Sequence, residues 1–377
     1  MSTFSKMVWQ IVVTAFAVAA VQANAQTSPA TVPTASEGAA EPELILTLSV
    51  ELSAEPGNKA AVVGRIQRNH WLTAGDNVDI VQRVSSLRKE MVAKYTTPFA
   101  RAGFQVMSHE LRLGDYRQFI TADKKLATQQ AAYRNLYGRQ TSLGLVGVGW
   151  GVEALRIDSA AGLAPYLADY VDREGATTQS VPLLLYWAMD RRRGDGILPK
   201  GHFDQLSLEW GLPFADVPYT KVDVVHESYW QIASTVSTGF NVAWGRLDGR
   251  DGHLSPIGKR YYGGGTGSVR GYESGALGPL DVSGANMGAE RKATGTAEVL
   301  WHAFDIGQTP IIISLFSDHG RFSRGNNSTV DNVSAGSQGL GISVPMPFGI
   351  ARFYFADPNR ENLRTQRFQF EARASWR

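Results

Sequence analysis

The side chains able to do chemistry are few and scattered. Cysteine is absent, which removes thiol nucleophiles, Cys-ligated zinc, iron–sulfur clusters and disulfide frameworks together. The histidines, at positions 70, 109, 202, 226, 253, 302 and 319, show no metal-ligand spacing. Asp318-His319-Gly320, next to Ser317, is the nearest thing to a hydrolase grouping. Hydrolysis needs a base oriented by a third group, and no second such group stands out. Gly263-Gly264-Gly265-Thr266-Gly267 is not followed by Gly-Lys-Ser/Thr, so it reads as a tight turn and not as a phosphate loop. Catalytic, cofactor-binding and metal-binding residues are therefore all expected to be none. One constellation differs. Arg270 lies in the Gly-rich stretch, and Glu298 and Asp318 follow on two alternating runs whose period turns both carboxylates inward. A guanidinium is a planar fork that suits carboxylates, and the expected chemistry is a charge-assisted clasp.

The elements that must position these residues read as strands. The first 25 residues are not part of them. Lys6 is a short basic start, Val8 to Val21 is mostly apolar, and Ala23-Asn24-Ala25 is a small-x-small cleavage site before Gln26. Residues 1–25 thus read as a secretory signal peptide, with an apolar run below the ~18–20 residues of a spanning helix. Residues 26–43 are small, polar and Pro-punctuated, and read as a flexible linker.

From Leu44 the period is two. Leu46-Thr47-Leu48-Ser49-Val50-Glu51-Leu52 alternates, as do Leu206 to Trp210 and Phe368 to Trp376. Turn signals such as Ala74-Gly75-Asp76-Asn77 and Asp357-Pro358-Asn359 separate the runs. With an export signal, a strand at the C-terminus and Trp and Tyr near many strand ends, the alternation fits a membrane barrel, apolar side to lipid and polar side to a wet lumen. Residues 44–377 give roughly 21 residues per strand and connection for 16 strands, each spanning with ~9–11. The expectation is an all-β fold: a 16-stranded antiparallel transmembrane β-barrel with a long loop folded into its lumen. Long connections are expected at Leu113–Gln140, Ala160–Thr178 and Leu254–Thr294. The charge balance, 37 basic against 35 acidic residues, gives no pull toward nucleic acid.

The third connection carries a recognisable motif. Tyr261-Tyr262-Gly263-Gly264-Gly265-Thr266-Gly267-Ser268-Val269-Arg270-Gly271-Tyr272, then Leu277-Gly278-Pro279, resembles the inward-folded loop of the Omp85 superfamily. Thr294 to Glu298, Leu315 to Gly320, Gly339 to Ala356 and Gln366 to Phe370 are similar to the family strands that follow. Upstream, Tyr95-Thr96-Thr97-Pro98-Phe99 resembles a family strand end. Within the family the chain is similar to the bacterial surface antigen, barrel-assembly and translocation-and-assembly-module types.

The resemblance implies a Gram-negative outer-membrane protein, reached after cleavage near Ala25 and embedded in outer-membrane lipid. Val269, Arg270, Gly271 and Tyr272 would form the tip of the inward loop, with Glu298 and Asp318 as its anchors. It also implies insertion or translocation of outer-membrane protein clients through a lateral seam between the first and last strands. Family insertases carry periplasmic recognition domains ahead of the barrel. Here residues 26–43 alone separate the signal peptide from the first strand, so a periplasmic partner would supply recognition. A passive outer-membrane channel and a surface interaction protein are the alternative functions.

Overall fold

The computed structural model describes residues 44–53, 60–122, 124–158, 163–193, 198–325, 332–346 and 349–376. The expected signal peptide and linker lie outside the described residues. The described chain is almost entirely strand: β1 (Leu44–Ser53), β2 (Ala60–Asn69), β3 (Asn77–Ser85), β4 (Arg88–Pro98), β5 (Val106–Phe119), β6 (Lys125–Thr141), β7 (Gly144–Ile157), β8 (Thr177–Ser180), β9 (Pro182–Asp190), β10 (Gly201–Gly211), β11 (Tyr219–Ala233), β12 (Val236–Gly249), β13 (Arg291–Ile306), β14 (Thr309–Ser323), β15 (Val333–Met346), β16 (Gly349–Pro358) and β17 (Phe368–Trp376). Apart from β8, each strand pairs antiparallel with the next, and β17 returns to β1 to close the sheet. Only Val181 separates β8 from β9, and both pair with β7, so the two form one stave and the barrel has 16. Closure satisfies the backbone groups that an open sheet would leave bare, the condition for strands to cross a bilayer.

The alternation sorts side chains as the sequence requires. Leu46, Leu48, Phe240, Val242, Leu315 and Leu340 are exposed on the outer face, with Trp71, Trp210, Trp230 and Trp301. The opposite face of the strands carries Arg65, Glu90, Arg134, Glu209 and Asp318, which are held there in ion pairs. Among the described residues no helix is long and apolar enough to cross a membrane. Crossing by strands needs none.

The strands differ in length around the barrel. β1–β4, β16 and β17 have 9–11 residues, whereas β5–β7 and β11–β15 have 14–17. The closing pair is also staggered. β1 meets β17 from Leu48 opposite Trp376 to Ser53 opposite Glu371, while Leu44–Thr47 pair with β2.

Two of the expected connections need correction. Leu113–Gln140 is not a loop; β5 and β6 run through it and turn at 120–124. Polar Gln, Arg and Tyr occupy both faces there, which hides the period although the strands continue. The Leu254–Thr294 connection ends four residues early, at Glu290, because β13 begins at Arg291. The remaining connection, between β7 and β8, carries helix α1 (Pro165–Glu174). Pro165 starts it without costing a hydrogen bond, and Tyr166, Leu167 and Tyr170 pack with Ile120, Leu126, Ile157, Ile257 and Met287.

Candidate functional site

The site is built by the connection between β12 and β13. It is tied first to itself, by bridges Tyr261↔Ala289 and Gly263↔Leu277. It then packs Val269, Tyr272 and Leu277, all fully buried, with Tyr219, Leu247 and Phe322 of the barrel wall. Burial of side chains of this size stabilises by about 2 kcal/mol each. Two glycines create the room. A Cβ on Gly320 of β14 would sit 2.7 Å from Val269 Cγ2. One on Gly263 would sit 2.1 Å from Phe322 Cζ.

This packing delivers Arg270 to the two expected carboxylates. Its backbone N–H donates to Asp318 Oδ2 at 3.0 Å, its Nε to the same oxygen at 2.8 Å and its Nη2 to Oδ1 at 2.8 Å. Nη1 donates to Glu298 Oε1 at 3.1 Å. Thr296 faces Asp318 across the β13–β14 ladder and donates its Oγ1 hydrogen to Oδ1 at 2.9 Å. Glu298 is two residues on from Thr296 and therefore on the same face. The guanidinium carbon lies 3.5 Å from the Phe316 ring centroid and 5.0 Å from that of Tyr354, so aromatic faces cover the charge. Burial works against the Arg270 charge. Hydrogen bonding to Asp318 and the charges of Asp318 and Glu298 more than offset it, and hold its pKa above the ordinary arginine value.

The next two residues reach the last strand, β17. Gly271, at φ +87°, is in the left-handed region where a side chain is strained, and a Cβ there would lie 3.1 Å from Ala356 Cβ. Its N–H donates to Gln369 Oε1 at 3.2 Å, and Gln369 Nε2 donates to the Tyr272 carbonyl at 2.8 Å. Tyr272 OH donates toward Gly336 O and Asn359 Oδ1, and accepts from the Arg360 N–H at 3.1 Å. Thr266 donates to Glu371 Oε2 at 2.9 Å. All four expected tip residues and both expected anchors thus come together. Thr296, Phe316, Tyr354, Asn359, Gln369 and Glu371 join them without having been singled out in the sequence. The inward face of each strand could have flagged Gln369 and Glu371, two residues apart on the last strand.

A second charged cluster also escaped the sequence reading. Lys259, at the end of the 3-10 turn Ile257–Lys259, places Nζ 2.6 Å from Glu153 of β7 and 2.6 Å from Glu209 of β10. Arg134 of β6 donates to the same carboxylates at 2.6 and 3.1 Å, and Tyr219 donates to Glu209 at 2.7 Å. Burial disfavours the charge on Lys259, but Glu153 and Glu209 outweigh it and raise its pKa above the ordinary lysine value. A cavity of about 490 Å³ adjoins the cluster, lined also by Arg112, Lys221, Asp223 and Lys292.

The hydrolase-like grouping divides. Asp318 is buried in the Arg270 clasp, while His319 points to the opposite face, 3.2 Å from Ser317 Oγ. The basic run at 191–193 edges the β9–β10 connection. There Arg192 pairs with Asp190 and Glu227 and stacks on Phe203. Among the described residues no group of three or more His, Asp or Glu could hold a metal ion.

A closed, even-stranded barrel with an apolar outer face and a charged inner face defines an outer-membrane type of β-barrel. The Omp85 superfamily domain matches residues 71–376, and the chain belongs to that superfamily. It is 26% identical over 323 residues to the outer membrane protein assembly factor BamA of Neisseria meningitidis serogroup B, covering 74% of this chain and 40% of that relative. The chain therefore spans two fifths of that relative's length. Its fold is similar to BamA from Haemophilus ducreyi lacking POTRA domains 1–3, with a TM-score of 0.78 at 16% identity, over 93% of this chain and 75% of the other. It is also similar to CdiB from Escherichia coli, with a TM-score of 0.60 at 13% identity, over 93% and 68%. Membership and fold support an outer-membrane location.

Proposed function

We propose that this protein inserts or translocates other proteins at the outer membrane, through a lateral seam between β1 and β17. In this reading the β12–β13 connection folds into the lumen and is held there by Arg270 on Glu298 and Asp318. The observation that carries it is one segment tied to both sides of the question: Arg270 to β13 and β14, and Thr266, Gly271 and Tyr272 to Gln369 and Glu371 of the seam strand β17. The staggered closure supports the seam. Among the described residues β1 and β17 pair at six positions, Leu48–Ser53 against Trp376–Glu371, and a closing ladder this short can open to expose an edge on which an incoming strand pairs. Clients would be outer-membrane proteins, and a periplasmic partner would supply their recognition. Residues 1–25 would be removed on export, with cleavage near Ala25.

A locked seam tests this. Ser49 of β1 faces Ser375 of β17 in register, and the chain has no other cysteine to confuse the bond. Directly opposed residues are close enough for a disulfide. The Ser49→Cys, Ser375→Cys protein should lose client insertion when oxidised and regain it on reduction. Undiminished insertion by the oxidised form would overturn the lateral route.

A further inference from the structure

We propose that Lys259 is a second latch of the β12–β13 connection, holding it to the β6–β7–β10 wall independently of Arg270, so that ions pass the barrel only when both latches release. This rests on the reading that the connection occupies the lumen.

The two clusters share no residue and sit on different walls. Arg270 is held by β13 and β14. Lys259, eleven residues earlier, is held by Glu153 of β7 and Glu209 of β10, which Arg134 of β6 bridges. Within the cluster two cations meet two carboxylates, so removal of Lys259 leaves two buried anions sharing one guanidinium. The turn that presents Lys259 is itself fixed. Arg260, buried beside it, donates from Nη1 to Met287 O at 3.0 Å and from Nε to Ser255 Oγ at 3.1 Å, and its guanidinium lies 5.7 Å from the ring centroid of Tyr170 in α1. The amine thus arrives at its carboxylates on a braced backbone, and the clasp costs little further ordering. The adjoining 490 Å³ cavity, lined by charged groups, gives ions somewhere to go once the turn swings away.

The test is conductance of the full chain in planar lipid bilayers with potassium chloride. Arg270→Ala alone should stay near the wild-type level, because the second latch holds. Arg270→Ala with Lys259→Met should conduct on the order of tenfold more, as both charge clasps that favour the closed population are gone. Lys259→Arg in the Arg270→Ala background keeps the charge and should stay closed. In the same background, Lys259→Glu with Glu209→Lys restores two cations and two anions and should also close. If Arg270→Ala alone conducts as fully as the double variant, there is no second latch. If the double variant stays closed while correctly folded, the lumenal placement of the connection is wrong, which separates that failure from the first. Folding is read from heat-shifted migration in detergent gels. Where the double variant does not fold, Arg270→Ala with Glu209→Gln replaces it. If neither folds, the cluster holds the wall and not the connection, and the proposal fails.

Discussion

Arg270 and its two carboxylates look symmetrical in the sequence but are unequal in the structure. Asp318 is almost fully buried and accepts three hydrogen bonds from Arg270 and one from Thr296, whereas Glu298 accepts one and is about a fifth exposed. Removing a partner from a buried pair leaves an uncompensated charge, at a cost of about 3–5 kcal/mol. Asp318→Asn should therefore release the tip, and Glu298→Gln should loosen it only slightly. Amide exchange across residues 265–272 reads the difference, and equal effects would show that the two anchors are interchangeable. Arg270→Lys should behave like the loss of Asp318, because an ammonium cannot span both carboxylates and stack on Phe316 at once. This trio was legible because each member sits on a period-two run or in the glycine-rich tip. Lys259, Glu153, Glu209 and Arg134 were not. Arg134, Glu153 and Glu209 look like ordinary polar-face charges and Lys259 like a loop lysine, and only the packing of the β12–β13 connection against the wall brings residues 134 and 259 to the same carboxylates.

At the scale of elements, α1 shows how connections brace one another. Its N-cap residue, Ala164, has no side chain to offer, and Tyr166 N–H instead donates to Asp281 Oδ2 at 3.4 Å from the distant β12–β13 connection. Asp281 also accepts from Ser283 N–H, Ser283 Oγ and Ala285 N–H. Burial pushes its pKa up, but these donors win and hold it below the ordinary aspartate value. A carboxyl depressed in the folded state adds stability above its unfolded pKa, near ~3.9, and that stability is lost as pH falls through the depressed folded value. Protection of the Ser283 and Ala285 amides should thus hold at about pH 5 and fall only as the pH drops below the unfolded value of ~3.9, and Asp281→Asn should flatten the dependence. A pH-independent protection in the native chain would show that Asp281 is not the brace. Strands were the most readable elements wherever one face met lipid. They were least readable at 113–140, where polar side chains on both faces erase the period, and helix α1 left no signal strong enough to single it out.

For the whole molecule, the partners of the tip are far apart in the chain. Arg270 is 48 positions from Asp318, and Gly271 is 98 from Gln369, which lies on the last strand. Contacts of such separation form only after the intervening chain has been ordered, since closure entropy is lost before the contact is gained. β17 must therefore be in place before Gly271 and Tyr272 can be seated, and β17 in turn needs β16 and β1. In time-resolved exchange during refolding into detergent, the amides of residues 269–272 should gain protection no earlier than those of 368–371. Earlier protection of the tip would contradict this order. Gln369 thus makes the seating of the tip a kinetic checkpoint: a chain caught before its last strand arrives has nothing to close on.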